Sequence, residues 1–311
     1  MEQFLSQLPQ SIINGLTLGS VYALIALGYS LVYGILKMLN FAHGDVYMVG
    51  AYAGYGIFVI FVPKDSEPLI PVFILIILML LVSMVGTAVL GMVIERFAYR
   101  PLRNAPRIAP LISALGVSFA LQNLIQIVVS PRSLSFGSGR LLATDVGLNF
   151  GEHAFIHLSR IIVIGVTILM LGTLTYIVQR TKFGRAMRAV ATDMDAAAMM
   201  GVNVDRIIVG TFILGSALAG SAGVLVGIKD LSIRPLMGFT AGLKGFTASV
   251  IGGIGSLTGA VAGGLLLGMA EAFATVIFSP TFKDAITFII LVVSLLIRPS
   301  GLLGKPVEQK V

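Results

Sequence analysis

The stretch QFLSQLPQSIINGLTLGSVYALIALGYSLVYGIL, residues 3–36, contains no charged side chain. A helix needs about 20 predominantly apolar residues to cross the hydrocarbon core of a bilayer. The stretch therefore predicts a first membrane span from Ser11 to Leu36. It has no basic segment in front of it and is too long for a cleaved signal peptide, so we expect a permanent span.

The composition extends this interpretation to the whole chain. Hydrophobic residues make up 57% of the 311 residues and charged residues only 11%, whereas soluble domains carry about 25% charged residues. A water-soluble fold is excluded. We expect an all-α polytopic membrane protein that forms a single permease domain, residues 1–311. The chain has no cysteine, which excludes disulfides and thiolate metal sites.

Further apolar runs predict about eight or nine transmembrane helices. The predicted spans after the first are residues 46–62, 69–94, 108–130, 161–179, 207–228, two short spans within 238–278 that break at 252–256, and 284–298. Residues 131–158 are rich in Ser, Gly and turn residues and predict an external loop. Nine crossings result, or eight if residues 238–254 are re-entrant.

Basic residues indicate how the chain is oriented. The loop after the third span carries Arg96, Arg100, Arg103 and Arg107, and residues 180–206 carry another cluster. Because cytoplasmic loops are enriched in Lys and Arg, the N-terminus is expected outside and the C-terminus in the cytoplasm. LGSVYA at residues 18–23 resembles LGSALA at residues 214–219, in spans of opposite direction, which favours an inverted four-span repeat.

The most charged segment, residues 180–206, is predicted to be an inner-face loop with a helix between Gly184 and Gly201. Its small residues Ala196, Ala197 and Ala198 permit close approach of another surface, and a glycine is a suitable residue after a helix end. From the residues alone, a basic helix lying on anionic lipid is favoured.

A polar stretch, NFAHGD at residues 40–45, separates the first two spans. Broken helices expose backbone groups that can meet a substrate or form a gate, and such backbone is tolerated at membrane depth only where it is buried or lines a cavity. The alternative is an ordinary inner loop in which Asn40 caps the second span. A metal site at His43 is disfavoured because the other two histidines lie in the outer loop.

Glu271 lies in the middle of the last Gly-rich span. A carboxylate there costs about 2.5–3.5 kcal/mol unless it is paired or in a wet cavity, so we expect it to face protein or water. The alternative to a functional role is a structural pair with Gln122 or Asn123 in the fourth span. Lys244 and Glu95 are expected near span ends, reaching towards the interface or anchoring a loop.

Four blocks of sequence resemble the LivH-type permeases of high-affinity branched-chain amino-acid uptake. The blocks are GLTLGSVYALIALGYSLVYGILKMLNFAHGDVYMVGAY at residues 15–52, IERFAYRPLR at 94–103, GRAMRAVATD with GVNVDR at 184–206, and GLKGFTASVIGGIGSLTGAVAGGLLLG at 242–268. The spacing from Asp195 to Gly201 is similar to the coupling-helix motif of ABC-importer permeases. Asp195 replaces the usual Glu, and the Leu-Pro that often closes the longer motif is absent.

The resemblance implies a type II-like ABC-importer permease in a bacterial inner membrane, which translocates branched-chain amino acids. Its implied partners are a second homologous permease, two ATP-binding subunits, a periplasmic amino-acid-binding protein and membrane lipid. No nucleic acid, cofactor or metal is implied. The implied coupling residues are Arg185, Arg188, Asp193, Asp195, Ala196, Ala197 and Gly201, and the candidate path or gate residues are Asn40, His43, Asp45, Gln122, Asn123 and Glu271.

Two other classes of protein fit the sequence less well. A stand-alone secondary transporter or channel would explain an inverted repeat and Glu271, but it leaves the coupling-type loop unexplained. An intramembrane enzyme would need a motif such as H-E-x-x-H or a serine with a base. The sequence contains no H-E-x-x-H, and it contains no G-x-x-x-x-G-K-[ST] phosphate-binding loop, so ATP is expected to be hydrolysed by other chains.

Overall fold

The computed structural model describes residues 2–63, 68–103, 105–106, 108–137, 141–142, 146–149 and 155–304. The α-helices of these residues are α1 Glu2–Leu36, α2 His43–Phe61, α3 Val72–Ile94, α4 Ile108–Val128, α5 Leu158–Arg180, α6 Lys182–Thr192, α7 Met194–Met199, α8 Val204–Asp230, α9 Met237–Gly252, α10 Leu257–Ile277 and α11 Lys283–Ile297. A π-helical turn, Glu95–Tyr99, extends α3. Two antiparallel strand pairs are formed by β1 Leu134–Ser135 with β4 Ser232–Ile233, and by β2 Gly147–Asn149 with β3 Phe155–His157.

Among the described residues, eight helices are long and apolar enough to cross a membrane. They are α1, α2, α3, α4, α5, α8, α10 and α11, which confirms the predicted all-α polytopic fold. Most predicted boundaries agree within a few residues. Two differ in a way that matters, because α1 begins at Glu2, well before Ser11, and α2 begins at His43, so the polar residues His43 and Asp45 belong to the helix.

The segment between α8 and α10, which contains the short helix α9, also crosses the bundle. The 16 residues of α9 span about 24 Å, less than the hydrocarbon thickness of about 30 Å. Met237, at its start, lines a cavity together with Asp230, the last residue of α8. Gly255, just beyond its end, packs on Gly34 near the end of α1. Because α1 and α8 end at opposite ends of the bundle, this segment makes a ninth crossing and is not re-entrant.

The two ends of the bundle differ in chemistry. At one end, α1 and α3 terminate and α8 begins; we call it the basic end. Its basic side chains belong to Lys37, Arg96, Arg100, Arg103, Arg180, Lys182, Arg185, Arg188, Arg206 and Arg298. Both strand pairs lie at the opposite end, where α4 and α8 terminate, and we call it the strand end.

Packing follows the predicted inverted repeat. Helices α1 and α8 are antiparallel and approach each other at Gly28 and Gly215. If α1–α4 are exchanged with α8–α11, the packed pairs α3·α8, α2·α8, α2·α3 and α2·α4 become α10·α1, α9·α1, α9·α10 and α9·α11. All eight pairs are in contact. An inverted four-helix repeat, with α5–α7 between its halves, gives this pattern.

Glycine permits a close contact between α1 and α10. A Cβ at Gly268 in α10 would overlap the backbone of Gly19 in α1, and one at Gly19 would overlap Leu265. Small residues allow backbones to approach in this way within a membrane, where packing rather than the hydrophobic effect drives helix association. Helices α1 and α8 are therefore mostly buried, whereas α4, α5 and α11 lie at the periphery.

Candidate functional site

The NFAHGD stretch forms a helix break inside the bundle. After α1 ends at Leu36, the chain turns back and α2 starts at His43. A Cβ at Gly28 would overlap the His43 imidazole, which places the start of α2 about two helical turns, or roughly 12 Å, back along α1 from its end. This position is not that of an ordinary loop between two spans. The first residues of α2 are buried, as irregular backbone at such a depth requires.

Asn40 and His43 are both buried within this break. The Asn40 Oδ1 atom accepts a hydrogen bond from the Tyr99 hydroxyl at 3.0 Å. The interpretation of Asn40 as the cap of the second span is wrong, because the residue before α2 is Ala42 and no side chain caps the helix. The His43 ring packs edge-on against Tyr29 with centroids 4.9 Å apart, and its Nε2 atom has no hydrogen-bond partner among the described residues.

Asp45, the third residue of α2, is held by two side chains of α4. Its carboxylate accepts hydrogen bonds from the Ser118 hydroxyl and from the Gln122 amide, the latter at 3.1 and 3.3 Å. Ser118 and Gln122 lie one helical turn apart, so both face the same point. All three side chains are buried. The candidate residues Asp45 and Gln122 therefore form one polar cluster near the middle of the bundle.

Two predicted pairings of Glu271 are wrong. Gln122 pairs with Asp45, and Asn123 lies on the outer surface of α4, where its amide donates to the Phe119 carbonyl at 2.8 Å. Glu271 is buried, as expected, but its partners come from other helices. The Lys244 ammonium donates to Glu271 Oε1 at 2.8 Å, and the Tyr22 hydroxyl donates to Oε2 at 2.8 Å.

Lys244 is the functional candidate that the sequence reasoning missed. We expected it near a span end, yet it is 7% exposed and lies among α1, α9, α10 and α11. Its ammonium is also 2.8 Å from Asp284 Oδ1, at the start of α11. The sequence signal was a single lysine between apolar turns, near a glutamate in the next span. Recognising the pair required knowing that α9 and α10 pack against each other.

A cavity of about 770 Å³ opens at the strand end above this ion pair. Its floor contains Tyr22, Lys244 and Glu271, and its mouth carries the exposed side chains of Arg234 and Asp284. The remaining wall includes aliphatic residues of α1 and α8. A membrane protein that keeps charges at the base of an open cavity has a polar route into its interior.

At the basic end, the predicted coupling helix is two helices. The expectation of one helix between Gly184 and Gly201 is wrong, because α6 ends at Thr192 and α7 begins at Met194. Asp193 causes the break by capping α7: its Oδ1 atom accepts from the backbone N–H groups of Asp195 and Ala196 at 2.9 Å each. Gly201 ends the segment in the left-handed conformation, φ 84°.

The exposed surface of this segment differs from the expected one. Ala197 is 5% exposed and packs against the chain itself, whereas Ala196 and Ala198 are exposed. Met199 and Met200 project outward with exposures of 88% and 84%. The side chains of Arg185, Arg188 and Asp195 are also exposed, and the Arg188 guanidinium donates to the Val178 carbonyl. We call the exposed side of Lys182–Met200 the α6–α7 surface.

Behind this surface, an ion network joins the start of α8 to the end of α3. Asp205 accepts from Arg100 at 2.6 Å and also pairs with Arg103. The Arg103 guanidinium pairs in addition with Glu95, whose side chain is fully buried in the π-helical turn. Of the two roles expected for Glu95, reaching towards the interface or anchoring a loop, the structure supports the second.

The architecture defines a class of protein: a polytopic transport permease, built as an inverted helical repeat around buried polar clusters and an open cavity. The family model described as branched-chain amino acid transport system / permease component matches residues 11–295. The chain belongs to this family of branched-chain amino-acid transport permeases. The members of the family are transport-system permease components and not enzymes.

Individual relatives match over nearly the whole chain. The high-affinity branched-chain amino acid transport system permease protein BraD of Pseudomonas aeruginosa is 43% identical over 308 residues, 97% of each chain. The corresponding protein LivH of Escherichia coli is 42% identical over 310 residues, which cover 100% of this chain and 99% of LivH. The fructose import permease protein FrcC of Rhizobium meliloti is 31% identical over 178 residues, 52% of this chain and 47% of FrcC. No solved structure matches the chain significantly.

Proposed function

We propose that this chain is the membrane-spanning subunit of an ATP-driven importer of branched-chain amino acids. The observation that carries the proposal is its end-to-end similarity to permeases named for that transport. Branched-chain amino acids have apolar side chains and charged backbones, and a cavity with aliphatic walls and charges of both signs suits them. The substrate is delivered by a periplasmic binding protein, and a second homologous permease completes the path.

The energy for transport comes from two separate ATP-binding subunits, which dock on residues 180–206. The α6–α7 surface supports this role. It is basic, it projects from the bundle, and it presents two exposed methionines, a residue type favoured at protein interfaces. Arg185, Arg188, Asp193, Asp195 and Gly201 shape and charge this surface. The network from Asp205 to Glu95 joins the start of α8, which follows this surface in the chain, to the end of α3.

The basic end faces the cytoplasm in this proposal. Most Lys and Arg residues of the described chain lie there, in agreement with the excess of such residues in cytoplasmic loops. The strand end then faces the periplasm and receives the binding protein. The N-terminus lies outside and the C-terminus inside, in a multi-pass arrangement in the bacterial inner membrane.

Substrate passes from the strand-end cavity towards the helix break. Glu271 stands at the base of the cavity, and Asn40, His43, Asp45 and Gln122 surround the start of α2. The starts of α2 and α9 touch where Gly44 meets Gly238 and Gly242. Two broken segments in contact make a suitable gate, because small rotations of either helix open the contact. Asn123 lies outside this route.

The test is reconstitution of the chain in liposomes with its permease partner, ATP-binding subunits and binding protein. We expect leucine uptake that requires both internal ATP and the binding protein. A matched preparation with an inactive ATP-binding subunit should show none. Leucine uptake driven by a proton or sodium gradient without ATP would refute the proposal and favour a secondary transporter.

A further inference from the structure

The floor of the strand-end cavity contains more charge than a structural ion pair needs. Lys244 is shared between Glu271 and Asp284, at 2.8 Å from each. Lys283 lines the same cavity next to Asp284, so the cluster contains two cations and two carboxylates. Glu271 is fully engaged, because Tyr22 donates to its second oxygen, whereas the Asp284 side chain is 52% exposed at the cavity mouth. The cluster offers an anionic group to a ligand and keeps a cation beside it.

The rest of the cavity complements an aliphatic side chain. Leu18 of α1, Val226 of α8 and Ala241 of α9 line the cavity and are partly exposed. Charged groups of both signs therefore lie next to branched aliphatic surface. The volume of about 770 Å³ lies within the range of small-molecule sites, and it leaves room for water around a molecule of amino-acid size.

We propose that this cavity is a transit site that recognises the free amino acid by both of its backbone charges. The α-ammonium group of the substrate binds the exposed carboxylate of Asp284, and its α-carboxylate binds Lys244, which Glu271 holds in place. The aliphatic side chain lies against Leu18 and Val226. This inference rests on the proposed function for its substrate class. It adds a site within the permease that recognises the zwitterionic amino acid independently of the binding protein.

The charge pattern predicts which ligands the cavity distinguishes. L-leucine carries both backbone charges, leucinamide lacks the carboxylate, and 4-methylpentanoate lacks the ammonium group. Charge-assisted hydrogen bonds are the strong ones in a partly desolvated site, so removing either charge from the ligand should weaken binding. Loss of about 1.4 kcal/mol corresponds to a tenfold weaker affinity.

The natural chain has no cysteine, which allows a direct probe of occupancy. Ala241→Cys places one thiol in the cavity wall, one helical turn from Lys244. The complete transporter, assembled from cysteine-free partners, is treated with a charged thiol-reactive reagent in the absence of ATP and binding protein. Val146→Cys, at an exposed strand-end position, is the matched control.

We expect L-leucine to slow modification at Ala241→Cys several-fold and to leave Val146→Cys unaffected. The half-protecting concentrations of leucinamide and 4-methylpentanoate should be at least about tenfold higher. The double change Lys244→Met with Glu271→Gln leaves no unpaired charge between these two residues. Because it removes the cation that binds the carboxylate, leucinamide should then protect as well as L-leucine. The readout does not require transport, so it is separate from the reconstitution test.

Three results would overturn the proposal: no modification of Ala241→Cys, no protection by leucine, or equal protection by all three ligands. Protection that persists unchanged in the double variant would also overturn it, because the charges would then not recognise the ligand. If ATP-driven leucine uptake occurs while any of these results is found, the proposed function stands and only the transit site is wrong.

Discussion

The α6–α7 surface leads to a quantitative prediction about docking. Met199 and Met200 are 88% and 84% exposed, and fully burying one such side chain contributes about 1.5–3 kcal/mol. If an ATP-binding subunit covers both, they contribute at most roughly 2.5–5 kcal/mol to binding. Part of this is offset by the side-chain ordering that association requires. We therefore expect Met199→Ser with Met200→Ser to weaken docking at least about tenfold, the equivalent of 1.4 kcal/mol.

The assay is the dissociation rate of ATP-binding subunits from permease held in lipid nanodiscs, since interface changes act mainly on dissociation. Leu148→Ser is the matched control, because Leu148 is 61% exposed but lies at the strand end. The double variant should reach the membrane at normal levels, dissociate faster and transport less. Normal dissociation and transport would refute the reasoning and leave the surface to lipid.

The same geometry changes which substitution is informative. The sequence alone predicts that Ala197→Trp blocks docking, because Ala197 belongs to a run of small residues that permits close approach of another surface. Ala197 is buried against its own chain, so a tryptophan there overpacks the permease, at a cost of about 1–3 kcal/mol. Its membrane level should fall together with docking. A variant that inserts normally but fails to dock would show that Ala197 faces the partner after all.

Three further changes test the packing of the bundle. Lys244→Met leaves the buried Glu271 without its cation and should destabilise the purified protein by about 3–5 kcal/mol; adding Glu271→Gln should restore most of the lost thermal stability, and no recovery would count against the pair. Gly28→Ala should destabilise by about 1–3 kcal/mol through overlap with the imidazole beside it, whereas Gly56→Ala, which meets no atom within 4 Å, should not. Asp193→Ala should cost α7 about 1 kcal/mol of capping and speed its proteolysis, while Asp193→Asn should preserve it; equal rates would contradict the cap.

The sequence predicts the spans well because each must supply its own run of apolar residues. For the same reason the sequence predicts the start of α2 too late, at Val46: His43 and Asp45 are polar, and polar residues between two apolar runs are typical of a loop. Asp45 is accommodated in the helix because Ser118 and Gln122 donate to its carboxylate, and the His43 ring packs edge-on against Tyr29. Hydrophobicity along the chain cannot reveal a partner on another helix. The spans are therefore predictable, and the polar cluster inside them is not.

The charged pairings were hidden for a related reason. Lys244 and Glu271 are 27 residues apart on helices joined by a tight turn, and their contact depends on the lengths of α9 and α10. Asp193, in contrast, carried a local signal that was available. An aspartate directly before a short helical run is typical of an N-cap, and it predicts the break between α6 and α7 that was missed.

The inverted repeat explains where these clusters lie. In each half, the shortened second helix carries a charged residue that pairs with the fourth helix: Asp45 of α2 with Gln122 of α4, and Lys244 of α9 with Asp284 of α11. The two clusters differ in their surroundings. Neutral donors enclose Asp45 in the bundle, whereas Lys244 opens onto the cavity with an additional carboxylate, Glu271. Because one half is sealed and the other is open, the proposed path leads a substrate from the strand end to the second half first and then to the proposed gate in the first half.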